Sequence, residues 1–102
     1  MGHTASYTTA GPTDNVDVSG INVIFVDATA GAVTIGGFAS GIAGQILYIS
    51  SLVTANSVVL ENNEGGGSQD IFLSAEADET VDTKGGGWTL ACNGTSLFEV
   101  EN

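Results

Sequence analysis

Gly41-Ile-Ala-Gly-Gln-Ile-Leu-Tyr-Ile-Ser50, followed by Ser57-Val-Val-Leu-Glu-Asn-Asn63, reads as two β-strands joined by a short polar turn. Gly44 lets the backbone turn sharply into the first strand, and Gln45 can bond its side-chain amide to a neighbouring main chain. Side chains alternate along a strand, so Ile46 and Tyr48 point to one face while Leu47 and Ile49 point to the other. Both faces are apolar. Such a strand needs cover on both sides, and in a chain of 102 residues a single thin sheet supplies only one. Oligomerisation is the expectation that follows.

Asn22-Val-Ile-Phe-Val26 and Ile71-Phe-Leu73 show the same double apolar character. Several chains around a common axis would house that repetition, and a self-sufficient β-sandwich is the alternative. Other runs alternate cleanly. Val33 and Ile35 share a face with Thr34 opposite, and Phe98 and Val100 are flanked by Glu99 and Glu101. Short β-type runs bounded by Gly, Asn or Asp recur about every ten residues, the rhythm of all-β sandwiches, prisms and barrels. They lie at 16–19, 22–27, 32–36, 45–50, 57–61, 69–74, 80–83, 88–92 and 97–101. Residues 74–79 could form one capped helical turn, too short to be stable by propensity. Residues 1–13, rich in Thr, Ala and Gly, read as an extended leader or linker, with Met1-Gly-His-Thr set aside as a chain start; the folded domain is expected over 14–102.

Twelve acidic residues face one basic residue, Lys84, for a formal net charge of −11. Phosphate recognition requires positive charge, so nucleic acid and anionic membrane surfaces are poor partners. No apolar stretch approaches the ~20 residues of a membrane-spanning helix, and no signal peptide is visible. The lone cysteine, Cys92, has no internal disulfide partner and reads as a small buried apolar side chain beside Leu90.

Nucleophile–base catalysis needs a proton acceptor, and the only histidine, His3, lies in the expected leader. One Cys and one His cannot build a zinc or copper centre. Acids are plentiful enough for a two-carboxylate glycosidase, yet a short chain has little room for a deep cleft, so no enzyme activity and no cofactor is expected. Asp14, Asp17, Asp27 and the run Glu61-Asn-Asn-Glu64 raise the question of calcium by composition alone; no run matches an EF-hand loop, and plain solvated charge is the preferred account. Gly65-Gly-Gly67 and Gly85-Gly-Gly87 lack the context of nucleotide motifs and read as loop tips or points of close backbone approach. Asn62 and Asn63 could bond across a symmetry axis or hold sugar hydroxyls. Trp88 could be a sugar-stacking platform, although a tryptophan opening a strand more often anchors a core or interface.

The segments Gly41 to Ile49, Val58-Val-Leu-Glu-Asn-Asn63, Gln69-Asp-Ile-Phe-Leu73 and Trp88-Thr-Leu-Ala-Cys-Asn-Gly-Thr-Ser-Leu-Phe-Glu-Val100 together resemble the β-structured domains of bacteriophage tail fibres, tail spikes and related virion appendages. Leu97 or Phe98 occupies the region where that family often carries tryptophan, and Cys92 stands where an aromatic is common. The resemblance implies a homotrimer on a virion, extracellular once released, with Gly-rich loops as candidates for touching a host-surface glycan. The fold class expected is therefore all-β, with short antiparallel strands in a β-sandwich or β-prism-like unit intertwined as a homotrimer. Ile46, Leu47, Ile49, Val58, Leu60, Ile71 and Leu73 would line its core. A monomeric carbohydrate-binding β-sandwich from a larger protein is the alternative.

Overall fold

In the computed structural model, which describes residues 3–100, the chain coils as a short β-solenoid with no helix among the described residues. Its first turn carries β1 (Thr4–Tyr7), β2 (Gly11–Thr13) and β3 (Val16–Asp17). The second carries β4 (Val23–Val26), β5 (Val33–Ile35) and β6 (Phe38–Ala39), and the third carries β7 (Ile46–Ser51) and β8 (Val58–Leu60). Strands stack turn upon turn in parallel, so that Thr4 lies beside Val23 and Val23 beside Tyr48. On the second side Gly11, Val33 and Val58 are in register; on the third, Val16 lies beside Phe38.

The chain then reverses over the third turn. Gln69 makes an antiparallel bridge to Phe38, β10 (Glu79–Val81) runs antiparallel to β8, and β11 (Gly87–Cys92) runs antiparallel to β7. Beyond β11 come β12 (Leu97–Glu99), antiparallel to it, and β9 (Ile71–Phe72), parallel to β12. The result is a six-stranded sheet in the order β1-β4-β7-β11-β12-β9, a four-stranded sheet β10-β8-β5-β2 and the pair β3-β6.

Each turn sends alternate side chains inward, and the inward rows pile like on like. Ile24 lies beside Ile49 and Ile49 beside Trp88; Val33, Val58 and Val81 form a second ladder; Ile35 stacks on Leu60. With Phe38, Leu47, Ile71, Leu90 and Leu97 these side chains close a single core inside one chain. Burial of such rows supplies the main favourable term, at roughly 25 cal/mol per Å² of apolar surface removed from water.

The all-β expectation holds, and every strand run read from sequence falls on an observed strand; Glu101 lies outside the described residues. The antiparallel expectation is corrected. Antiparallel pairs belong to the closing segment, while the coil is parallel. The physical reason was present in the residues, because strands of parallel sheets are characteristically apolar along their whole length. β7 and β8 are not hairpin partners but successive sides of one turn, in different sheets. Residues 4–13, expected as a leader, supply β1 and β2 and so belong to the first turn. Segment 74–79 forms a turn, not a helix, with β10 beginning at Glu79.

Both glycine triplets combine a left-handed opening residue with a close contact. Gly85 has φ 91°, and a Cβ on Gly87 would collide with the Ile49 carbonyl oxygen. That is how β11 comes to lie against β7. Replacing fully buried Leu60 by Ala is expected to lower unfolding free energy by about 2–5 kcal/mol in urea titration, whereas Val59→Thr on the outward face should shift it by no more than about 0.5 kcal/mol. Equal losses at the two positions would contradict the inward–outward assignment.

Candidate functional site: an uncharged sheet face and an acidic corner

Six of the seven residues expected to line a trimer core fill the chain's own interior: Leu47, Ile49, Val58, Leu60, Ile71 and Leu73 are buried without a second chain. Ile46 differs. It is half-buried on the outer side of the six-stranded sheet.

The three doubly apolar runs all belong to that sheet, and their second faces therefore converge on its outer surface. β4 contributes Val23 and Phe25, β7 contributes Ile46 and Tyr48, and β9 contributes Phe72. Cross-strand register places Ile46 beside Ala91, Ala91 beside Phe98, and Phe98 beside Phe72. The last two rings stack with centroids 5.1 Å apart and planes inclined by 17°. A second row runs from Val23 through Tyr48 to Thr89, where the Val100 amide donates to the Thr89 carbonyl. Tyr48, Phe98 and Val100 remain 50%, 40% and 53% exposed. No outward position in these rows carries a charged side chain.

The sugar-binding candidates are placed differently. Trp88 points inward at 7% exposure, and its Nε1 donates to Glu79 Oε1 at 2.8 Å, so it offers no platform. Asn62 is engaged at home: its backbone N–H donates to Asp78 Oδ1 and its Oδ1 accepts from the Leu73 N–H, both at 2.8 Å. Asn63 is exposed in a left-handed turn with φ 50°, its N–H donating to the Ile71 carbonyl. Together these bonds hold the short β9 in place.

Of the acids raised as calcium candidates, the fold brings Asp14, Glu61 and Glu64 to one corner, with oxygens within 4.8 Å of one another. Asp17 and Asp27 are elsewhere, accepting from the backbone N–H groups of Ser19 and Thr29 in local turns. Gly36 and Gly66 pack against the trio, and Glu64 Oε1 accepts the Gly66 N–H at 2.7 Å. These three carboxylates are the described group able to offer oxygen ligands to a cation, but carboxylates alone assign no ion. Partial burial, reinforced by the charges of Glu64, Asp78 and Asp14, raises the Glu61 carboxyl above its ordinary value of 4.5.

His3 is exposed at the rim of a crevice of about 480 Å³ between chain corners, shared with Ile21, Asn22, Ser40 and Ile42. Cys92 is buried and accepts the Gly94 N–H. Sequence reasoning missed two amides that hold this region. Gln69, 7% exposed, exchanges two side-chain hydrogen bonds with Gly41, accepting from its N–H at 2.8 Å and donating to its carbonyl at 2.9 Å, and its Nε2 also donates to Cys92 Sγ at 3.9 Å. Asn56 donates to the Ala28 carbonyl one turn below at 2.7 Å. A buried Gln between apolar runs was the available signal. Gln45 does bond the main chain, donating to the Val18 and Ile21 carbonyls. Comparisons with protein families, curated proteins and solved structures found no match.

A carboxyl raised on folding holds its proton more tightly in the folded chain. Its stabilising contribution is therefore full below pH 4.5 and is lost as pH rises through the raised value, leaving repulsion at neutrality. Glu61→Gln should accordingly raise the melting temperature at pH 7 and bring no gain near pH 4. A uniform effect at both pH values in paired thermal melts would contradict carboxylate crowding as the cause.

Proposed function

We propose that the chain is a non-enzymatic, self-assembling structural module of a phage tail fibre or spike, a homotrimer at the particle surface whose exposed loops are available to a host glycan. The observation that carries this reading is the uncharged apolar face left uncovered on a chain whose own core is already complete. Monomeric soluble proteins rarely leave large contiguous apolar patches in water. The number three and the virion setting come from the resemblance of segments 41–49, 58–63, 69–73 and 88–100 to appendage domains.

A stiff coil closed at one end by its own returning strands is suited to holding loops at fixed positions. Several copies presenting the same loops raise effective concentration at a surface without any single tight contact. Charge sets the conditions: copies that each carry −11 repel, and the screening length falls from about 10 Å at 0.1 M salt to about 3 Å at 1 M.

Light scattering on a sizing column across a wide dilution range provides the test. A three-chain species that resists dilution and is strengthened by added salt is expected. A folded species of one-chain mass at every concentration and salt level would overturn the reading.

A further inference from the structure

We infer that the crevice where the chain passes from the third side of the coil back to the first is a binding site for one unit of a neutral sugar. This rests on the glycan-binding part of the reading above and names where that contact is made. Two reverse turns build its walls. The same corner of successive coil turns holds Val18–Ile21 after β3 and Ile42–Gln45 after β6. Each is closed by its last N–H on its first carbonyl, Ile21 to Val18 and Gln45 to Ile42. Each carries glycine at its third position in the left-handed region, Gly20 at φ 71° and Gly44 at φ 91°. The crevice of about 480 Å³ is lined by both reverse turns. Its size falls within the roughly 300–1,000 Å³ of ligand sites.

One amide ties the two walls together. Gln45 Nε2 donates to the Val18 and Ile21 carbonyls at 2.8 and 2.6 Å, while its Oε1 accepts the Ile42 N–H at 3.0 Å. A site held open in advance loses less to ordering when it binds. Ser40 adds an observation of another kind. It lines the crevice and holds φ 69° although it is not glycine. Such a backbone costs about 1–3 kcal/mol and is concentrated at functional positions.

The lining sets the chemistry of the ligand. Ile42, 69% exposed, is the most exposed large apolar side chain of the described residues, and it shares the crevice with half-buried Ile21. Around them stand the exposed hydroxyls of Ser19 and Ser40, the exposed His3 imidazole and the amide of Asn22. Asn22 Nδ2 donates to the Ile46 carbonyl at 3.2 Å, and its Oδ1 is the acceptor on offer. A sugar ring has the matching surface, with C–H groups on its face for the isoleucines and hydroxyls at its rim for the polar groups. No carboxylate and no lysine lines the crevice among the described residues. An anionic ligand would be opposed by a chain at −11, and a cationic one would be drawn to Asp14, Glu61 and Glu64 instead. A neutral ligand is what remains.

The test uses the full chain, with the methyl glycosides of glucose, galactose, mannose and N-acetylglucosamine as probes and glucuronic acid as the anionic comparison. NMR titration follows the Ile21 and Ile42 methyl groups and the His3 ring, and light scattering on the same samples counts chains. At least one neutral glycoside is expected to move these resonances saturably, with a Kd on the order of millimolar. Ser40→Gly removes a hydroxyl and suits the backbone, and Ile42→Ser removes the apolar wall; each should weaken binding about 3- to 10-fold. Thr80→Ala, outward on the four-stranded sheet, should leave it unchanged. Thermal melts establish folding, and since Ser40 and Ile42 are both exposed, failure of one variant to fold leaves the other to decide. No saturable shift with any neutral probe at about 100 mM would overturn the inference. So would saturable shifts confined to other parts of the chain, wild-type affinity in both variants, or tighter binding of glucuronic acid than of the glucoside. A trimer without such binding overturns this inference alone, whereas binding by a species of one-chain mass overturns the homotrimer and supports this site.

Discussion

Everything in this molecule depends on the pairing of peptide groups between successive turns of the coil. A parallel strand cannot satisfy its own N–H and C=O groups, and each buried group left unpaired costs about 1–3 kcal/mol. The flat sides solve this by register: β1 on β4 on β7, and β2 on β5 on β8. The corners cannot, since the chain bends away from its neighbours there. Side-chain amides take over. Gln45 spans to Val18 and Ile21, Asn22 donates to the Ile46 carbonyl, Asn56 reaches Ala28, and Asn15 accepts the Ser68 N–H. A carboxamide has the same donor and acceptor as a peptide bond, so it can replace a missing rung of the ladder.

Once the turns are stacked, placement of the remaining chemistry follows. Inward positions must be apolar, and like residues pile in rows because the register repeats. Outward positions on the four-stranded sheet mix Thr34 and Thr80 with Val59, but the six-stranded sheet presents Val23, Phe25, Ile46, Tyr48, Phe72 and Phe98. Of the acids, Asp17, Glu79 and Glu99 lie on strands, and the other described ones sit at corners and in loops. Asp14 from the first turn and Glu61 and Glu64 from after the third become neighbours through stacking alone, and the crowding marks Glu61 by a raised carboxyl.

Much of the local structure was legible. Alternation at Val33-Thr-Ile35 identifies an inward and an outward side, and these are buried and half-buried as expected. Gly, Asn and Asp punctuation located the principal strands. Less visible were β1 and β2, whose Thr, Ala, Gly and Pro content resembles a linker and whose strand character comes from the turn above. A two-residue strand such as Phe38–Ala39 carries no periodicity at all. For the candidate site, the doubly apolar runs were singled out as the lining of a shared axis. Their buried halves proved to belong to the chain's own core, and only their outer halves, Ile46 and Tyr48 among them, remain for contact with anything else.

The all-β class, the positions of the main strands and their turns, the acidity of the surface and the presence of a second apolar face could all be read from the residues alone. These depend on side-chain period and composition, which are local properties. That the strands run parallel from turn to turn, that Trp88 faces inward onto Glu79 rather than outward, and that three separate apolar runs share one sheet became visible in the folded chain. The reason is that pairing direction and partner are set by which backbone edges meet in space. An apolar strand carries the same residues whether its neighbour lies two residues away across a hairpin or a full turn of the coil below.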